Sequence, residues 1–103
     1  MPRSMGPVQI QVLEAVASGV GYGFDVMETT ALPSGTVYPA LSRLEKAGLV
    51  RSRWEGAGIA HREKRPQRRY YEVTPAGREV LADALRRYRT LARSLARTVK
   101  EST

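Results

Sequence analysis

Leu32-Pro33-Ser34-Gly35-Thr36-Val37-Tyr38-Pro39-Ala40-Leu41-Ser42-Arg43-Leu44-Glu45-Lys46-Ala47-Gly48-Leu49-Val50 reads as one short helix delivered between two hard stops. Ser34 or Thr36 can cap its start by accepting a bond from an orphan backbone N–H, and either choice leaves Pro39 early in the helix. At the far end Gly48 suits the left-handed position after a helix, with Leu49 folding back on Leu44 in a Schellman-type stop. Val37, Leu41 and Leu44, spaced four and three, form one apolar stripe flanked by Ala40 and Ala47, and that stripe faces a core. The opposite side carries Pro39, Ser42 and Lys46, with Thr36 and Arg43 on one flank and Tyr38 on the other. Short donors, a phenol and cations make a surface suited to phosphates and base edges.

Composition narrows the partner. The 103 residues suffice for one domain with a modest core. A formal net charge of +7 favours a polyanion, nucleic acid before an anionic membrane surface. No apolar run is long enough to span a bilayer and the N-terminus lacks a signal-peptide pattern, so a cytoplasmic protein without membrane partner is expected. Without cysteine there is no disulfide framework, thiolate metal site or cysteine nucleophile.

Working outward from the central helix, residues 1–6 read as a loose N-terminus. Residues 7–18 read as a first helix, with Pro7 near its start and Gly19 at its stop. Val8, Val12 and Val16 form one apolar row and Ile10, Leu13 and Ala17 another. Gly19-Val20-Gly21-Tyr22-Gly23 is a turn into a second short helix over residues 24–28. Two short helices and a third, capped one make a helix-turn-helix. After Gly48 the apolar period changes: residues 49–55 and 68–74 read as strands, joined by a polar loop over residues 56–67. This hairpin is the wing of a winged helix. From Arg51 to Arg69 seven Lys or Arg face two Glu, so most of the excess charge sits there.

Thr74 caps the last helix and Pro75 opens it, with Glu79 and Asp83 favouring its positive end. Leu81, Leu85, Tyr88, Ala92, Leu95 and Val99 follow at spacings of 4, 3, 4, 3 and 4, a seam that predicts packing on a second copy about a two-fold axis. The fold class expected is mostly α with a small β-hairpin: a winged helix-turn-helix over residues 7–74 and a dimerisation helix over residues 75–103.

With these motifs in view, Ser34-Gly35-Thr36-Val37-Tyr38-Pro39-Ala40-Leu41, Arg43-Leu44-Glu45, Gly48-Leu49-Val50 and Trp54-Glu55 resemble the PadR family of bacterial transcriptional regulators. The return strand, Arg65-Pro66-Gln67-Arg68-Arg69-Tyr70-Tyr71, and Thr74-Pro75-Ala76-Gly77 resemble it too. The likeness covers roughly residues 7–81. It implies a repressor, dimeric through its C-terminal helix, that binds operator DNA near a promoter. Tyr22-Gly23-Phe24-Asp25 departs from the family's His-Gly-Tyr-Glu, and the segment between the second and third helices is shorter than in many members.

The expected DNA contacts are therefore Ser34, Thr36, Tyr38, Pro39, Ser42, Arg43 and Lys46 from the helix, and Arg62, Lys64, Arg65, Arg68 and Arg69 from the wing. Tyr38 either reaches a phosphate or packs under the wing. Trp54 either anchors the hairpin on the core beside Tyr70 and Tyr71, which is the preferred reading, or contacts a small aromatic or cationic effector. His61 has no partner for a metal site, and no catalytic grouping or cofactor motif is present, so neither an enzyme nor a cofactor is expected. The rival function is a winged helix used as a protein-interaction module without specific DNA binding.

Overall fold

The computed structural model describes residues 5–101, so residues 1–4 of the expected loose start over 1–6 lie outside the described residues. Met5 is not loose: it is half-buried and packs against the core. Seven elements follow: α1 (Pro7–Ala17), α2 (Gly23–Thr30), α3 (Ser34–Lys46), β1 (Val50–Trp54), α4 (Ala57–Arg62), β2 (Arg69–Val73) and α5 (Pro75–Glu101).

Helix α1 occupies the centre because its apolar residues run round most of its circumference. Ile10, Val12, Leu13, Ala15 and Val16 are all buried, and the helix touches α2, α3, α5 and β2. Only the outermost position of the expected rows, Val8, remains exposed. Helix α2 is longer than its apolar residues suggest. It ends where Ala31 turns left-handed and the Thr30 hydroxyl donates to the Val26 carbonyl at 2.6 Å.

Helix α3 starts one residue earlier than a hydroxyl cap would allow. Pro33 occupies the cap position in extended conformation, its carbonyl accepting from the Thr36 and Val37 amides at 2.9 and 3.0 Å. Ser34 is thus the first helical residue, and neither Ser34 nor Thr36 caps. Pro39 falls at the sixth position, where it cannot donate to the Gly35 carbonyl; Gly35 is exposed, so water can serve that oxygen. The helix ends as a Schellman motif: Gly48 has φ +76°, the Leu49 amide donates to the Leu44 carbonyl at 2.9 Å, and the Gly48 amide donates to Glu45 at 3.0 Å.

Strands β1 and β2 pair antiparallel with Val50 opposite Val73, Ser52 opposite Tyr71 and Trp54 opposite Arg69. Alternation puts Val50, Ser52, Trp54, Arg69, Tyr71 and Val73 on the face toward α3, while Arg51, Arg53, Tyr70 and Glu72 face outward. The turn before α2 joins this sheet as well, through a Tyr22–Tyr70 bridge and a 2.7 Å bond from the Tyr71 amide to the Gly21 carbonyl. The wing tip is not a plain loop, because residues 57–62 form α4 with Ala60 buried beneath it.

Thr74 caps α5, accepting from the Gly77 amide at 3.0 Å while its hydroxyl donates to the Gly48 carbonyl at 2.6 Å. One side chain thereby ties the end of α3 to the start of α5. Gly77 lies so close to the backbone leading into β1 that a Cβ would stand 2.0 Å from the Leu49 carbonyl oxygen. Asp83 sits beyond the first turn and pairs with Arg86 and Arg87, each at 3.5 Å, rather than serving the helix N-terminus.

Candidate nucleic-acid interface

Helix α3 divides into two sides. Val37, Ala40, Leu41 and Leu44 lie in the core; Ser34, Tyr38, Pro39, Ser42, Arg43 and Lys46 are exposed and Thr36 is half-buried at the edge. Among the described residues Ser42, Arg43 and Lys46 have no side-chain hydrogen bond or ion pair with the rest of the chain, so their donors face solvent. Tyr38 points toward α2, its ring packed against Gly23, where a Cβ would meet ring carbon Cε1 at 2.7 Å. Still 45% exposed, it walls a groove between helix and wing.

That groove, about 430 Å³ in volume, is bounded by Tyr22, Tyr38, Trp54 and Tyr71 with Arg68 and Arg69. Trp54 is 60% exposed, which corrects the expectation that it anchors the hairpin on the core. The physical reason is its position at the last residue of β1, on the rim of the groove, where the Arg69 guanidinium lies 5.7 Å from its ring centre. Tyr71 is the half-buried aromatic that packs on the core instead, and its burial pushes the phenol pKa up.

The wing's cations differ sharply in availability. Arg65 is paired to Glu55. Arg69 donates to Glu45 at 3.1 Å and to the Ser52 hydroxyl at 2.7 Å, and Ser52 in turn donates to Glu45. Wing and α3 are therefore joined through one carboxylate of α3. Arg68 lies 4.5 Å over the Tyr22 ring with its Nε buried and without a hydrogen-bond partner among the described residues, and the neighbouring Tyr70 hydroxyl, against the opposing effect of burial, holds its pKa up. Arg51 pairs with Glu72 at 2.7 Å, and Arg53 lies 5.4 Å from the Tyr70 ring centre. Of the five wing residues expected to contact DNA, only Arg62 and Lys64 are exposed without an ion pair among the described residues. Composition could not reveal this, because a count of charges is blind to the carboxylates folded against them.

The C-terminal seam also divides. Leu81, at 7% exposure, belongs to the core of its own chain and Leu85 packs partly against it. The apolar surface farther along consists of Tyr88, Leu91, Leu95 and Val99, all exposed, with Ala92 between them. Leu91 is the member that strict heptad spacing missed. Among the described residues there is no cluster of three metal-ligating side chains, and no helix long and apolar enough to cross a membrane.

A capped helix with an open polar face, backed by two shorter helices and flanked by an antiparallel hairpin, defines a winged helix-turn-helix. Residues 12–83 match the transcriptional regulator PadR-like family, and the chain belongs to that family. Among curated proteins none matches the sequence. The fold is similar to that of a PadR family regulator from Clostridium difficile, with 21% identity, a TM-score of 0.75 and coverage of 91% of this chain and 99% of that one. It is likewise similar to smu.1704 from Streptococcus mutans, with 23% identity, a TM-score of 0.76, and coverage of 90% and 86%. Another relative in fold is Bordetella bronchiseptica BpsR, whose DNA binding is regulated by 6-hydroxynicotinic acid; identity is 21%, TM-score 0.73, and coverage 91% of this chain and 67% of that one.

Proposed function

We propose that this regulator is a homodimeric repressor that binds a pseudo-palindromic operator, reading it with α3 and gripping flanking phosphates with the wing. The observation that carries the reading is the open face of α3, where Ser42, Arg43 and Lys46 are exposed on a helix held from behind by four buried residues. Donors of this kind fit base edges and phosphates. Specificity comes from that face, and Thr36 and Ser34 at its N-terminal edge approach the backbone.

The dimer reading is supported by α5, whose Tyr88, Leu91 and Leu95 are exposed among the described residues. A two-fold axis sets half-sites about one helical turn apart. An effector near Trp54 would enter a groove walled by aromatic rings and arginines, which favours an aromatic compound over a cationic one. Such a ligand would sit between the two DNA-contacting elements.

Fluorescence anisotropy with the protein's own upstream promoter and a scrambled duplex, at several salt concentrations, tests the reading. The repressor predicts promoter binding on the order of a thousandfold tighter, both affinities falling steeply with salt. Equal binding to both duplexes would leave only a nonspecific basic protein. Absence of binding at low salt would favour the protein-interaction module.

A further inference from the structure

The wing tip is closed by a single buried carboxylate. Glu55, the residue after β1, is 6% exposed and is the buried charged side chain among the described residues. Its carboxylate accepts from both terminal nitrogens of Arg65, Nη2 at 3.2 Å, and from the Arg68 backbone amide at 3.1 Å. Its carbonyl accepts from the Gln67 side-chain amide at 2.8 Å, and its own amide donates to the Arg68 carbonyl at 2.8 Å. The chain between residues 55 and 65 is thus drawn into a closed loop that contains α4.

That loop ends in an uncommon backbone conformation. Lys64 has φ +54°, the left-handed region that a lysine rarely occupies and that a helix end usually assigns to glycine. The turn is completed when the Arg65 amide donates to the Ala60 carbonyl at 3.1 Å. Arg65 is the residue whose side chain Glu55 holds, so the carboxylate and the strained turn share one anchor. Within that turn stand Arg62 and Lys64, the exposed cations of the tip without an ion pair among the described residues.

We propose that Glu55 is a positioning residue for DNA binding: by holding Arg65 and the Arg68 amide it keeps Lys64 in its left-handed turn, and so fixes Arg62 and Lys64 together as the phosphate-gripping tip. This rests on the DNA-binding reading above. Its consequence is counterintuitive, since a negative charge in a basic wing strengthens attraction to a polyanion. Simple electrostatics predicts the reverse, that removing Glu55 raises the net charge by one and tightens binding.

The test measures the salt dependence of affinity for a scrambled duplex in the full chain. Wild type is compared with Glu55→Met, with Glu55→Met/Arg65→Met, and with Arg62→Ala/Lys64→Ala. Circular dichroism melting and amide exchange at Arg65 accompany each. The paired Met variant leaves no buried charge uncompensated, which keeps the experiment usable if Glu55→Met alone fails to fold. Loss of two phosphate contacts should lower the logarithmic salt slope by about two in Arg62→Ala/Lys64→Ala. Both Met variants should lose nearly as much slope, exchange the Arg65 amide faster, and melt as a folded domain. Adding Arg62→Ala/Lys64→Ala to the paired Met variant should then change little. A Glu55 variant that keeps the wild-type slope, or binds more tightly, overturns the positioning role while leaving DNA binding intact. A wild type with no salt-dependent affinity removes the functional reading and this role with it.

Discussion

Helix α3 and the wing both carry cations and polar groups, yet they use them in opposite ways. On α3 the apolar stripe faces inward and carries the helix, so Ser42, Arg43 and Lys46 remain unengaged and exposed. The wing has no comparable core beneath its tip, where Ala60 is the buried residue of α4. Its shape is held instead by Glu55, Glu45 and Glu72 against Arg65, Arg69 and Arg51. Charge built into a fold is not available to a ligand, so the more basic wing offers fewer free cations than its sequence charge suggests.

The sharpest way to break this contrast is to weaken the helix from behind. Leu41 is fully buried under the reading face, and Leu41→Ala should cost about 2–5 kcal/mol in chemical denaturation. Ile59→Ala at the exposed wing tip should leave the denaturation midpoint nearly unchanged. Comparable losses at both positions would mean that the wing shares the core after all.

Next in size is the reading face itself. Ser42→Ala/Arg43→Ala should reduce discrimination between operator and scrambled DNA by about 1–3 kcal/mol. Arg62→Ala/Lys64→Ala should instead weaken both duplexes alike. Competition binding at one fixed salt concentration separates these outcomes, and identical profiles would merge the two roles.

Acid should act on the wing through Glu55. Its pKa is lowered from 4.5, chiefly by the side-chain bond with Arg65 and against the opposing effect of burial. A depressed carboxylate stabilises the fold above its unfolded value, and that contribution disappears as pH falls below 4.5 through the folded value. Thermal melts from pH 7 downward should therefore converge for wild type and Glu55→Met/Arg65→Met in acid, the gap lying above that window. A gap independent of pH would show that the carboxylate's charge is not what holds the tip.

The smallest effect belongs to the outer face of the hairpin. Both partners of the Arg51–Glu72 pair are mostly exposed, so Arg51→Ala should change stability by under about 1 kcal/mol. A larger loss in denaturation would make that face structural.

What sequence could reveal follows the same contrast. Elements held by periodic apolar residues and backbone punctuation were readable: the stripe of α3, its Gly48 stop, the alternation of both strands, and the Thr74-Pro75 start of α5. Features decided by one distant partner were not. Helix α4 has too few buried positions for a periodic signal and depends on Glu55 gripping residues ten and more positions away. Trp54 resembled a core anchor until the hairpin register placed it at the end of β1, on the rim of the groove rather than in the core. Leu81 fitted the heptad spacing, yet the same spacing suits a stripe that begins in the chain's own core and continues beyond it.

The central claim, that α3 reads base edges while the wing holds backbone, is tested most directly by methylation protection of guanine N7 on the promoter, which reports major-groove occupancy. The account predicts two protected clusters about one helical turn apart, both lost in Ser42→Ala/Arg43→Ala and both retained, at higher protein concentration, in Arg62→Ala/Lys64→Ala. Promoter binding without N7 protection, or protection that follows the wing variant instead, would contradict it.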